Sequence, residues 1–138
     1  MPSTSLRPDF TGTWQTKLER SVLRSASPGQ IVQKIAHSEP GLEQETILTR
    51  EGREQRLLFR YLTTGEETLN QLAGRTVRNR AHWDGDCLVI ESWTDMAGRE
   101  LHFEDRWTLS EDGNSLTMAH RDDPLAGQVV VHDRITET

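Results

Sequence analysis

Apolar and polar residues alternate along almost the whole chain. In LHFEDRWTLS (residues 101–110) every second position, Leu101, Phe103, Trp107 and Leu109, is apolar, with one exception at Asp105. A period of two marks a strand with one buried face. The same alternation predicts strands at Phe10–Glu19, Gln30–Ser38, Leu42–Arg50, Glu54–Leu62, Arg75–Trp83, Cys87–Thr94, Arg99–Leu109, Ser115–Arg121 and Gln128–Thr136. Between them stand EGR, DGD, MAG and EDGN, whose Gly, Asp and Asn reach positive φ cheaply and favour hairpins. SVLRSASPG (residues 21–29) has room for a helical turn, and TTGEETLNQLAG (63–74) for a short strand or a helical turn.

About nine consecutive antiparallel strands twist and close rather than lie open and flat. The pattern therefore predicts an all-β chain: a single antiparallel up-and-down barrel of about 8–10 strands spanning residues 1–138, with residues 1–8 as an N-terminal tail. Barrels of this size have interiors wide enough for side chains or one small ligand.

Register brings specific residues together. If Ser110 pairs with Ser115 around EDGN, Leu109 faces Leu116, Trp107 faces Met118, and Asp105 faces His120. The odd acid thereby gains a partner, and Glu104 meets Arg121 on the outer face. A four-residue loop from Asp95 to Gly98 and a two-residue Asp84–Gly85 turn then place Val77, Asn79, Ala81 and Trp83 inward. Phe10, Trp14 and Thr16, then Ile31, Gln33, Ile35 and His37, then Leu57, Phe59 and Tyr61 form further inner stripes. The result is an apolar wall with a few polar groups, the usual make-up of a small-molecule pocket.

Two blocks carry a resemblance. The opening DFTGTWQTKLERS, with its Gly-x-Trp, is similar to the start of lipocalin-like (calycin) barrels. HWDGDCLVIESW and FEDRWTLSEDGNSLTM resemble a group of bacterial lipocalin-like proteins of unassigned function. The resemblance implies a barrel open at one end that holds a small, mostly apolar molecule, and it transfers no catalytic residue.

Composition narrows the chemistry. With 33% hydrophobic and 28% charged residues and a formal charge of -6, the chain disfavours nucleic acid and anionic membrane as partners. The basic RTVRNR (residues 75–80) reads as a solvated strand face. Cys87 stands alone, and MPSTSLRPDF lacks the apolar core of a secretory signal, so the cytoplasm is the expected compartment. No hydrolase, P-loop or dinucleotide motif is present, and the five histidines lack metal-ligand spacing, so neither a metal nor a cofactor is expected. Haem held by one inward histidine, His37 or His120, is a minor alternative.

The leading expectation is a non-catalytic barrel for a small hydrophobic or aromatic molecule, with Trp83, Phe103, Trp107 and Met118 as wall and Tyr61, Asn79, His37, Asp105 and His120 as polar lining. The alternative is a cofactor-independent isomerase, cyclase or lyase in which Asp105 orients His120 as an acid and base. A third class, a protein interaction module, rests on Trp93, which this register places outside. With Val129–Val131 it would also suit a homodimer interface.

Overall fold

A computed structural model describes residues 8–17, 30–72, 74–122 and 128–135. It contains β1 (Gly12–Thr16), β2 (Gln30–Ser38), β3 (Gly41–Arg50), β4 (Arg53–Leu62), β5 (Glu67–Leu72), β6 (Arg75–Asp84), β7 (Cys87–Met96), β8 (Arg99–Leu109), β9 (Ser115–Asp122) and β10 (Gln128–Ile135). All neighbours pair antiparallel, in the order β4-β3-β2-β1-β10-β9-β8-β7-β6-β5. The first strand therefore lies beside the last, Thr13 opposite Ile135. The residue 21–29 segment and residues 1–7 lie outside the described residues.

The segment left open between strand and helical turn is strand β5, which brings the total to ten. Its outer neighbour in sequence, β4, forms no backbone ladder with it. The side chain of Asn70 bridges that gap. Its Oδ1 accepts from the Arg60 N–H at 2.8 Å and its Nδ2 donates to the Arg60 carbonyl at 2.9 Å, copying the pair of bonds a neighbouring strand would make. Nδ2 also donates to Asn79 Oδ1 at 2.7 Å, and Asn79 Nδ2 donates to Ser92 Oγ at 2.7 Å. Buried polar groups require such partners, and this chain of three side chains runs from β5 to β7 through the protein interior.

The β8–β9 register is the one read from the sequence: Leu109 faces Leu116, Trp107 faces Met118, Asp105 faces His120 and Glu104 faces Arg121. Two other hairpins differ from expectation. Met96 pairs with Arg99, so the turn is Ala97–Gly98 rather than a four-residue loop, and Ile90 rather than Leu88 faces Asp105. The tight turn requires φ +53° at Ala97, a left-handed conformation that a residue with a β-carbon rarely takes, which hid it from the sequence. Likewise Asp84 pairs with Cys87 and the central residues are Gly85 and Asp86, with Gly85 supplying φ +63°. Both differences shift register by two residues, so every side chain keeps its face.

The core follows those faces. Phe10, Trp14, Ile35, Leu42, Tyr61, Ala81, Leu88, Ile90, Trp107, Leu116 and Met118 form one buried cluster. The outer face carries ion pairs such as Glu43–Arg60 at 2.8 Å and Arg78–Glu100 at 2.7 Å, where a lipid-embedded barrel would carry an apolar band. No helix among the described residues is long and apolar enough to cross a membrane.

Candidate functional site

One end of the barrel is packed shut by rings. Phe10 stacks on His37 at 5.6 Å and on Trp83 at 6.0 Å, and meets Trp107 edge-on at 5.5 Å. His37 is held from both sides. Its Nδ1 accepts from the Phe10 N–H at 3.2 Å, which leaves the proton on Nε2, 2.6 Å from Glu39 Oε2. Glu39 also accepts from Thr63 Oγ1 at 2.9 Å and Trp83 Nε1 at 3.2 Å. Partial burial raises the pKa of Glu39, but these three hydrogen bonds outweigh it and hold the carboxyl below its usual range. His37 and Trp83 thus belong to the closure. A wider hollow of about 640 Å³ lies there, where outer-face Ala36, Glu43 and Arg60 meet His37 and Tyr61. Its mixture of inner and outer faces makes it an external groove.

Farther along the axis the packing loosens and polar groups appear. Gln33 Oε1 accepts from Gln44 Nε2 at 3.0 Å and from Thr46 Oγ1 at 2.7 Å, while Gln44 Oε1 accepts from the Tyr61 hydroxyl at 3.0 Å. Burial, with the negative charge of Asp105 added, pushes the Tyr61 phenol far above its ordinary pKa, so it remains a donor.

Asp105 and His120 stand opposite each other on β8 and β9, His120 Nδ1 donating to Asp105 Oδ1 at 2.7 Å. Their side chains are 29% and 30% exposed, so the pair is half-buried. Phe103 stacks on the His120 ring at 5.6 Å.

Around this pair lie two interior hollows. One, about 180 Å³, is walled by Phe59, Tyr61, Ile90, Asp105, Trp107 and Met118. The other, about 230 Å³, is walled by Gln33, Thr46, Asp105, Met118, His120 and His132. Thr46, Asp105 and Met118 line both, so the hollows adjoin. Of the residues singled out in the sequence, the structure gathers Tyr61, Trp107, Met118, Asp105 and His120 here and sets Phe103 beside them. Asn79, 1% exposed, is engaged in the buried amide chain instead.

His132 is a lining residue that sequence reasoning passed over, as are Gln44, Thr46 and Leu48. Strand β10 alternates Val130 and His132 toward the cavity, and that alternation was its signal. The ring is 1% exposed, and its Nδ1 lies 2.8 Å from Thr16 Oγ1. Its Nε2 has no hydrogen-bond partner among the described residues, although leaving a buried polar atom unmatched costs about 1–3 kcal/mol. Burial pulls its pKa down from 6.5 to about 4, so the imidazole is neutral near pH 7.

No family model and no curated protein matches the chain. Solved structures do. Secretory abundant heat soluble protein 4 from Ramazzottius varieornatus superposes with a TM-score of 0.68 at 11% identity, covering 98% of this chain and 100% of that one. Fatty-acid-binding protein 1 of Echinococcus granulosus gives a TM-score of 0.64 at 12% identity, covering 92% and 98%. A structure described as the REP1-NXSQ fatty acid transporter gives 0.64 at 10% identity, covering 93% and 97%. Likeness at this level of identity speaks to architecture alone. The chain has the calycin-like β-barrel fold of these proteins.

Proposed function

We infer that this protein is a small-molecule binding barrel that holds a compact hydrophobic or aromatic molecule in its interior. Tyr61, Trp107 and Met118 serve as wall and the Asp105–His120 pair as polar anchor. The observation that carries this reading is the pair of adjoining interior hollows, apolar in most of their lining with convergent polar groups at one side. Each exceeds the ~150 Å³ that suffices for a benzene ring in a dry protein cavity. Two of the structural neighbours are described by their fatty acids, which fits a hydrophobic ligand in this architecture.

Met118 lines both hollows, so Met118→Trp fills the space without adding charge. Titration with the uncharged fluorophore N-phenyl-1-naphthylamine is expected to give one saturable site in the natural chain and none in the folded variant. A natural chain that shows no saturable site contradicts the reading.

The 2.7 Å contact between His120 and Asp105 favours a second reading, in which the carboxylate orients the imidazole as an acid and base on a bound substrate. A cofactor-independent isomerase, cyclase or lyase would then lose turnover in His120→Gln while KM changes little. Equal loss of affinity and turnover counts against it.

A further inference from the structure

The interior hollows differ in one respect from what an anionic lipid needs. Among the described residues, neither lining contains a Lys or Arg. The cation nearest to hand, His120 when protonated, is already held by Asp105. Asp105 borders both hollows, so a ligand carboxylate would be desolvated beside a like charge. A purely apolar ligand is the weaker fit for a different reason. It would leave His132 Nε2 buried and unmatched in the wall of the larger hollow, where Thr16 already occupies the other ring nitrogen.

That contact with Thr16 permits two tautomers. In one, Nδ1 accepts from the threonine hydroxyl and Nε2 carries hydrogen; in the other, Nδ1 donates and Nε2 is bare. A ligand hydroxyl satisfies either, since it both donates and accepts. A carbonyl or ether oxygen satisfies only the first.

We propose that the cavity selects an uncharged hydrophobe bearing a hydroxyl group, an aromatic or medium-chain alcohol, whose hydroxyl bonds to His132 Nε2, and that it discriminates against the corresponding carboxylate. This rests on the cavity-binding reading above and adds the polar group of the ligand.

The test uses three probes of one shape, 2-naphthol, naphthalene and 2-naphthoate, titrated calorimetrically into the full chain at pH 7.5. Naphthol is expected to bind roughly tenfold more tightly than naphthalene, about the gain from one hydrogen bond, and more tightly still than naphthoate. In the ¹⁵N spectrum the His132 Nε2 resonance should move with naphthol and stay with naphthalene, a readout that needs no variant. His132→Leu should erase the advantage of naphthol over naphthalene. Naphthoate binding as tightly as naphthol overturns the head-group assignment and leaves the cavity reading standing. So does an Nε2 resonance that naphthol does not move. Failure of all three probes to bind the folded chain overturns both.

Discussion

Asp105 interrupts an apolar stripe and is tolerated because His120 lies 2.7 Å away across the hairpin. Its half-burial sets the worth of the pair between the ~0–1 kcal/mol of exposed ion pairs and the 3–5 kcal/mol lost on breaking buried ones. Asp105→Ala should therefore destabilise by about 1–2 kcal/mol in urea unfolding, and replacing both residues with apolar ones should recover most of that, since neither partner is stranded. A double variant as unstable as the sum of the two single ones contradicts the coupling. His132 gives a pH dependence of definite sign. Its folded pKa of about 4 lies below the ordinary 6.5, so as pH falls below 6.5 the unfolded chain takes up a proton that the native ring refuses. Stability is then lost progressively until pH 4, by about 3 kcal/mol in all. Denaturant midpoints of His132→Leu between pH 7 and 4 should fall less steeply than those of the natural chain. Of these two residues only Asp105 was conspicuous in the sequence, because a charge inside LHFEDRW breaks a pattern, whereas a histidine after VVV on a closing strand breaks none.

At the scale of elements, alternation was legible and turn geometry was less so. The strands from Gln30 onward coincide with the expected segments to within two residues at each end, because each buries one face against the same core. Two hairpins slipped by two residues: φ +53° at Ala97 runs against ordinary turn preferences, and Gly85–Asp86 competes with Asp84–Gly85 as an equally acceptable two-residue centre. Strand β5 stayed ambiguous since it has a ladder on only one side and its key residue is an asparagine, a residue depleted in strands. That asparagine makes a sharp prediction. Asn70→Asp keeps the shape but turns the two donations of Nδ2 into oxygens facing the Arg60 carbonyl and Asn79 Oδ1. The expected cost is about 2–3 kcal/mol, with amide exchange at Arg60 accelerated more than in β7 or β8. Unchanged exchange at Arg60 would show that the side chain does not hold the two strands.

For the molecule as a whole, closure was foreseen from the number of strands, whereas the positions of hollows within a closed barrel depend on side-chain volumes from strands distant in sequence. Gln33, Thr46, Met118 and His132 meet around one space though they come from β2, β3, β9 and β10. The outer surface carries Trp93, as its register requires. There the His102 ring stacks on Trp93 at 5.0 Å and the Arg78 guanidinium lies 5.6 Å from its ring. Because β10 joins β9 to β1, a chain ending at Arg121 loses the strand that closes the sheet and exposes both neighbouring edges. Such a chain should show no cooperative thermal transition and should elute as aggregate; a folded monomer would mean that closure is dispensable.

The bridge at Asn70 has a mechanical side. Nine strand junctions carry backbone ladders, and tension applied along the strands must shear several bonds together at each of them. Between β4 and β5 a load drawn across Arg60 and Asn70 falls on one amide group. A pulling experiment anchored on those two strands should rupture at a far lower force than one anchored across β7 and β8. The wall would tear along this line first and unroll from it as a sheet.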